Sequence, residues 1–156
     1  MRNQSKPPGA SMSLDRTLTH RLHTLHKLSD KVSQTAYLQA AGMPMSEGRC
    51  LAAVGAFEPL SVNELARGAN LDKGQASRAA QSLVDQGFLR KEENAGDGRG
   101  VVLTLTAKGR RRWQMIMQLI ERRNDEIFGC LSAEERERLG DMLDRLIERA
   151  RQDSQQ

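Results

Sequence analysis

A chain of 156 residues, 38% hydrophobic and 28% charged, is long enough to bury one core. It has no apolar run of bilayer length and no signal-peptide pattern, and its two cysteines, Cys50 and Cys130, lie far apart in different predicted helices. This excludes a membrane span, a disulfide framework and a zinc spacing, and leads us to expect a cytoplasmic protein without metal or cofactor. The formal charge of +4 is modest, but from Asp72 to Arg112 nine basic residues stand against five acidic ones, so this segment equals the whole excess. Such clustering suits a polyphosphate partner.

Residues 1–13, MRNQSKPPGASMS, are polar and Pro/Gly-containing and read as a disordered tail, as do the last few, RQDSQQ. Leu14, Leu18, Leu22, Leu25, Leu28, Val32 and Ala36 then form one stripe at helical spacing, predicting a helix from Ser13 to Ala40 that Gly42 and Pro44 end. Ser46 and the run RCLAAVGAF predict a second, shorter helix. Ser61 with Glu64 spells a capping box for a third, stopped by Gly68 and Asn70. Asp72 with Gln75 opens a fourth, whose apolar positions Ala76, Ala80, Leu83 and Val84 keep helical spacing until Gly87. Phe88–Arg90 and Val101–Leu105 read as the strands of a hairpin around EENAGDGRG. A long helix over Thr106–Phe128 carries Trp113, Ile116, Met117, Ile120 and Ile127, and at roughly 34 Å it outruns what one small lobe can cover. Ser132 and Glu135 open the last helix, striped by Leu139, Met142, Leu143, Leu146 and Ile147.

Two capped helices followed by a glycine-tipped hairpin are the order of a winged helix-turn-helix. The expected fold is mainly α with a small β-hairpin wing, as one domain over 14–151: the winged helix-turn-helix at about 46–106, flanked by dimerisation helices at about 14–41 and 107–151. With the apolar side of the fourth helix turned inward, Lys73, Gln75, Ser77, Arg78 and Gln81 lie on or beside the opposite face. Arg or Lys pairs with guanine edges in a major groove and Gln with adenine, so this helix is the candidate reader of double-stranded DNA. Arg99 at the wing tip suits a narrow minor groove, with Asp97 holding it in register.

The run from Asp72 to Gly109 resembles the winged-helix core of the MarR (multiple-antibiotic-resistance regulator) family. The resemblance rests on the Ser77–Arg78 pair, the Gly87-Phe88-Leu89 step into the wing, the Asp97-x-Arg99 motif and the Leu105-Thr106-x-x-Gly109 join to the next helix. Gly98 departs from the pattern, because many relatives carry a second arginine there. The resemblance implies a homodimer on a pseudo-palindromic operator, with the fourth helix in the major groove and the wing arginine in the minor groove. The apolar first and last helices independently call for a partner subunit, which would set two reading helices roughly 34 to 36 Å apart.

The resemblance also implies a small aromatic or heteroaromatic acid, bound between the dimer helices and the reading lobes, that releases DNA. Such an anion needs a cation or histidine and an apolar wall. His23, His26, Arg49, Trp113 and Met117 are the candidate contacts, with Met43 and Met45 nearby and Glu47 or Glu64 as alternative partners for Arg49. A repressor released by such an acid is the leading reading. A redox-sensing repressor using Cys50 and a non-specific architectural DNA-binding protein are the alternatives. An enzyme is not expected, because no nucleophile-base pair, paired carboxylates or phosphate loop emerges.

Overall fold

In a computed structural model that describes residues 12–93 and 100–155, the helices are α1 (Leu18–Ala41), α2 (Met45–Phe57), α3 (Val62–Gly68), α4 (Lys73–Asp85), α5 (Ala107–Phe128) and α6 (Ala133–Asp153). An antiparallel hairpin of β1 (Leu89–Glu93) and β2 (Val101–Leu105) lies between α4 and α5, in register from Leu89 opposite Leu105 to Glu93 opposite Val101. Residues 1–11 of the tail expected over 1–13, and the wing-tip residues Asp97, Gly98 and Arg99, lie outside the described residues.

Local chemistry sets the helix starts. Ser61 and Ser132 each form a complete capping box, with Glu64 and Glu135 respectively. Asp72 accepts from the Gln75 amide at 2.8 Å, and Thr106 from the Gly109 amide at 2.9 Å. α1 begins at Leu18 rather than Ser13, because Thr17 takes the capping position in extended backbone and accepts from the His20 amide. Leu14 belongs to a separate 3-10 turn, Leu14–Arg16, so the leucine stripe runs past the true helix start. At the other end, Gly42 turns the chain in the left-handed region at φ 65°.

Two further expectations are corrected. Arg151–Asp153 are helical, not tail, extended by the Arg149–Asp153 ion pair at 3.3 Å and the Gln152–Glu148 hydrogen bond at 3.1 Å, one turn apart. β1 is Leu89–Glu93, and of its residues only Leu89 is buried. Arg90–Glu93 form a strand that leaves the core, so no alternation marks it.

The core gathers Leu51 and Val54 of α2, Leu65 of α3, Ala76, Ala80 and Leu83 of α4, Leu89 and Leu103 of the hairpin, and Ile116 and Leu119 of α5. Leu60 joins as a third edge, exchanging backbone hydrogen bonds with Leu103 at 3.2 and 2.7 Å. α1 contributes only Tyr37 and Ala41 from its last turns, and α6 buries no residue. Leu22, Leu25, Leu28 and Val32 therefore stand 47–61% exposed, and Met142, Leu146 and Ile147 47–58%. No helix among the described residues is long and apolar enough to cross a membrane.

Candidate nucleic-acid interface

α4 is fixed from one side and open on the other. Ala76, Ala79, Ala80 and Leu83 are buried, whereas Lys73, Gln75, Ser77, Arg78 and Gln81 are all exposed. Glu47 of α2 clamps the C-terminal turns, accepting from Ser82 Oγ at 2.7 Å and Gln86 Nε2 at 3.1 Å. The exposed face thus carries its side chains on a helix held by packing and by directional bonds.

Gln81 differs from the expectation of a free base reader. Its Nε2 donates to Asp85 Oδ1 at 2.8 Å, and its Oε1 accepts from Lys91 Nζ of β1 at 2.6 Å. Both ends of the amide are engaged, which ties the wing strand to α4 and leaves Lys73, Gln75, Ser77 and Arg78 as the outward set. Sequence spacing puts Gln81 on the right face but carries no sign of this cross-strand link.

The basic cluster is also partly committed. Lys108 and Arg112 lie over the Phe88 ring at 4.7 and 4.9 Å, and Lys108 Nζ donates to Gln86 O at 2.7 Å. Arg112 donates to Ala41 O, and Arg110 pairs with Glu58. These cations fasten the start of α5 to the reading lobe, and only part of the local excess of positive charge faces outward. Gly109 in the same turn is required by contact, because a Cβ there would lie 1.9 Å from Phe88 O.

Two adjoining cavities open between α1, α2 and the reading lobe. The first, about 650 Å³, is lined by His26, Arg49, Phe57, Asn70, Met117 and Ile120, with small residues between them. The second, about 560 Å³, is lined by Asp30, Gln34, Met45, Arg49 and Asn70, and reaches Gln75 of α4. Arg49 borders both. Its Nη2 donates to Asp30 Oδ1 at 3.0 Å, so its partner is Asp30 rather than Glu47 or Glu64, which are taken by α4 and by the Ser61 cap. Asp30 Oδ2 lies 3.3 Å from His26 Nε2.

Of the five expected effector contacts, His26, Arg49 and Met117 meet at the first cavity; His23 and Trp113 line neither cavity. His23 is exposed on α1, one turn before His26 and further from the end of α1 that packs on α2. Trp113 turns inward, donating from Nε1 to Ala52 O at 3.2 Å, with its ring against Gly55. Met43 is core, 1% exposed. Asp30, Asn70 and Phe57 were missed by sequence reasoning. The i,i+4 spacing of His26 and Asp30 was the one available signal for the first of them.

Cys50 is fully buried, and its thiol is pushed up to about 12, chiefly by burial and then by the Glu47 carboxylate. A buried thiol held protonated is a poor nucleophile, which counts against redox sensing there. Cys130 is exposed and lies in the turn between α5 and α6, not in a helix.

Comparison with known proteins agrees with this geometry. Residues 41–100, from the end of α1 through the hairpin, match the sequence profile of the MarR family. The HTH-type transcriptional regulator BilQ of Clostridium symbiosum is 31% identical over 86 residues, which are 55% of this chain and 60% of that protein, so the chain spans less than two thirds of this relative's length. The crystal structure of a MarR/EmrR family transcriptional regulator from Acinetobacter sp. ADP1 superposes with a TM-score of 0.80 at 25% identity, covering 90% of this chain and 99% of that one. BpsR of Bordetella bronchiseptica, whose structure concerns regulation of DNA binding by 6-hydroxynicotinic acid, shares the fold at a TM-score of 0.77 and 18% identity, covering 87% and 96%. With the profile on the reading lobe, the same fold along nearly the whole chain, Gly87 in the left-handed region at φ 79° and Gly109 packed against Phe88 O, residues 41–100 form a MarR-family domain within a chain that has the fold of MarR-family regulators.

Proposed function

We propose that this chain is a sequence-specific DNA-binding transcriptional regulator of the cytoplasm. It acts as a homodimeric repressor on a pseudo-palindromic operator and is released by a small aromatic or heteroaromatic acid. The observation that carries the reading is the division of α4, with four apolar residues locked in the core and Lys73, Gln75, Ser77 and Arg78 exposed together on a clamped helix. Such a helix suits a major groove, where Arg78 reads guanine and Gln75 adenine, while Lys73 and Ser77 meet phosphates or bases. Arg99 and Asp97 are assigned to the minor groove through the family's wing motif.

The exposed leucines of α1 and the apolar stripe of α6 support dimerisation, because full burial of each such side chain contributes about 1.5 to 3 kcal/mol. The cavity at Arg49 has a volume typical of small-molecule sites, with an apolar wall and one guanidinium. The regulation of BpsR by 6-hydroxynicotinic acid is the comparison that favours a heteroaromatic acid here. Linkage then requires operator DNA to weaken acid binding by the same factor by which the acid weakens operator binding.

Selection of bound fragments from random DNA by the purified protein should return a palindrome. Its affinity should exceed that of random DNA by a factor on the order of 10³ or more at physiological salt. Equal, salt-sensitive affinity for all sequences would overturn the proposal in favour of an architectural coating protein.

A further inference from the structure

We propose that the carboxylate of Asp30 is a built-in competitor for Arg49. It occupies the guanidinium that an anionic effector must engage, and so sets how much effector is needed. The inference rests on the aromatic-acid reading above and adds the residue that opposes the acid.

Asp30 reaches across from α1 to α2, and both of its oxygens are engaged, Oδ1 by Arg49 at 3.0 Å and Oδ2 facing His26 Nε2 at 3.3 Å. Those two partners are the basic side chains that line the first cavity, and Arg49 is the one arginine or lysine among its lining residues. The side chains of Arg49 and Asp30 are only 32% and 24% exposed, so exchange of partners, rather than release into bulk water, decides the binding. A ligand carboxylate entering the cavity meets a guanidinium already satisfied. If it used the remaining N–H groups beside Asp30, two like charges would share one cation, which is unfavourable at such separations. Asp30 also has a place to go, because it borders the second cavity with Gln34 and Ser46 as alternative donors.

The test is calorimetric titration of the full chain with benzoate and 6-hydroxynicotinate, with neutral benzamide as control. Asp30→Asn should bind both acids about five- to tenfold more tightly than wild type and benzamide no better, the range expected for removing one partly buried ion pair. Arg49→Gln should weaken acid binding, and Asp30→Asn should give no gain in the Arg49→Gln background. A gain that survives there means that Asp30 acts by general repulsion and overturns the competition. Unchanged acid affinity in Asp30→Asn, with wild type binding the acids, also overturns it while leaving the aromatic-acid reading intact. Failure of either acid to bind any variant overturns both. Asp30→Ser serves as a second variant, and thermal melting of each protein separates a lost fold from a lost contact.

Discussion

Replacing Gly109 with alanine should destabilise the fold by roughly 2 to 4 kcal/mol, although in an open helix the same change stabilises by about 1 kcal/mol. The added Cβ would stand 1.9 Å from the carbonyl oxygen of Phe88, 2.8 Å from its carbon and 3.2 Å from its Cα. Ordinary contact is about 3.5 Å, so the first turn of α5 must retreat by roughly 1.5 Å, and a backbone neighbour offers no rotamer that relieves the clash. Retreat breaks the Thr106 amide bond to Phe88 O at 3.1 Å and the Thr106 hydroxyl bond to Gly87 O at 2.6 Å. Two such bonds at about 1 kcal/mol each, with about 1 to 3 for overpacking and about 1 returned by helix propensity, give the stated range. Urea unfolding followed by circular dichroism, at one protein concentration because a dimer's stability depends on it, measures the difference. A midpoint at or above that of wild type would refute the contact argument.

Arg78→Ala should relax base preference at one operator position by about 1 to 3 kcal/mol, whereas Gln81→Ala should leave base preference unchanged because its amide is spent on Lys91 and Asp85; binding to single-position operator variants decides, and the reverse ranking would sink the assignment. Leu22→Glu combined with Leu146→Glu should convert the dimer to a species of about 17 kDa in sedimentation, since both positions are half-exposed in the single chain; persistence of the dimer would place the interface elsewhere. Near pH 8 a thiol reagent should modify Cys130 quickly and Cys50 slowly, because the Cys50 thiol loses its proton only as pH rises towards about 12. Equal rates, read by comparison with Cys130→Ser, would contradict the burial of Cys50.

What could be read from the sequence was local. Ser61–Glu64, Asp72–Gln75 and Ser132–Glu135 bring cap and partner within three residues, so spacing alone locates three helix starts, while the join at Thr106 and Gly109 was read from the resemblance. The outward face of α4 follows from the same reasoning, because Ala76, Ala80 and Leu83 define its buried side. What escaped was long-range or two-sided. Trp113 meets Ala52 across 61 residues, and Arg49 meets Asp30 across 19, and nothing in periodicity picks one carboxylate from several. β1 was misplaced because its outer residues are solvated on both faces, where the alternation that betrays a strand has no cause.

α2 connects these parts, and its bonds are unevenly distributed. Towards α4 it holds Ser82 and Gln86 through Glu47, and just past its end Glu58 accepts from the Leu105 amide at 2.7 Å and pairs with Arg110. α2, α4 and the base of the wing are therefore bound as one body. Towards α1 the attachment is Tyr37, whose ring lies where a Cβ on Gly48 would stand 2.3 Å away, and the Asp30–Arg49 pair seven residues back along α1, roughly 10 Å by helical rise. Loss of the ion pair frees one end of this contact while the ring holds the other, so α1 and the reading body should pivot about Tyr37. Gly48→Ala expels the ring and removes the pivot; it should leave acid binding at Arg49 measurable while cutting the acid's effect on operator affinity. If acid releases operator from Gly48→Ala as efficiently as from wild type, in protein that still melts cooperatively, the motion does not turn on Tyr37.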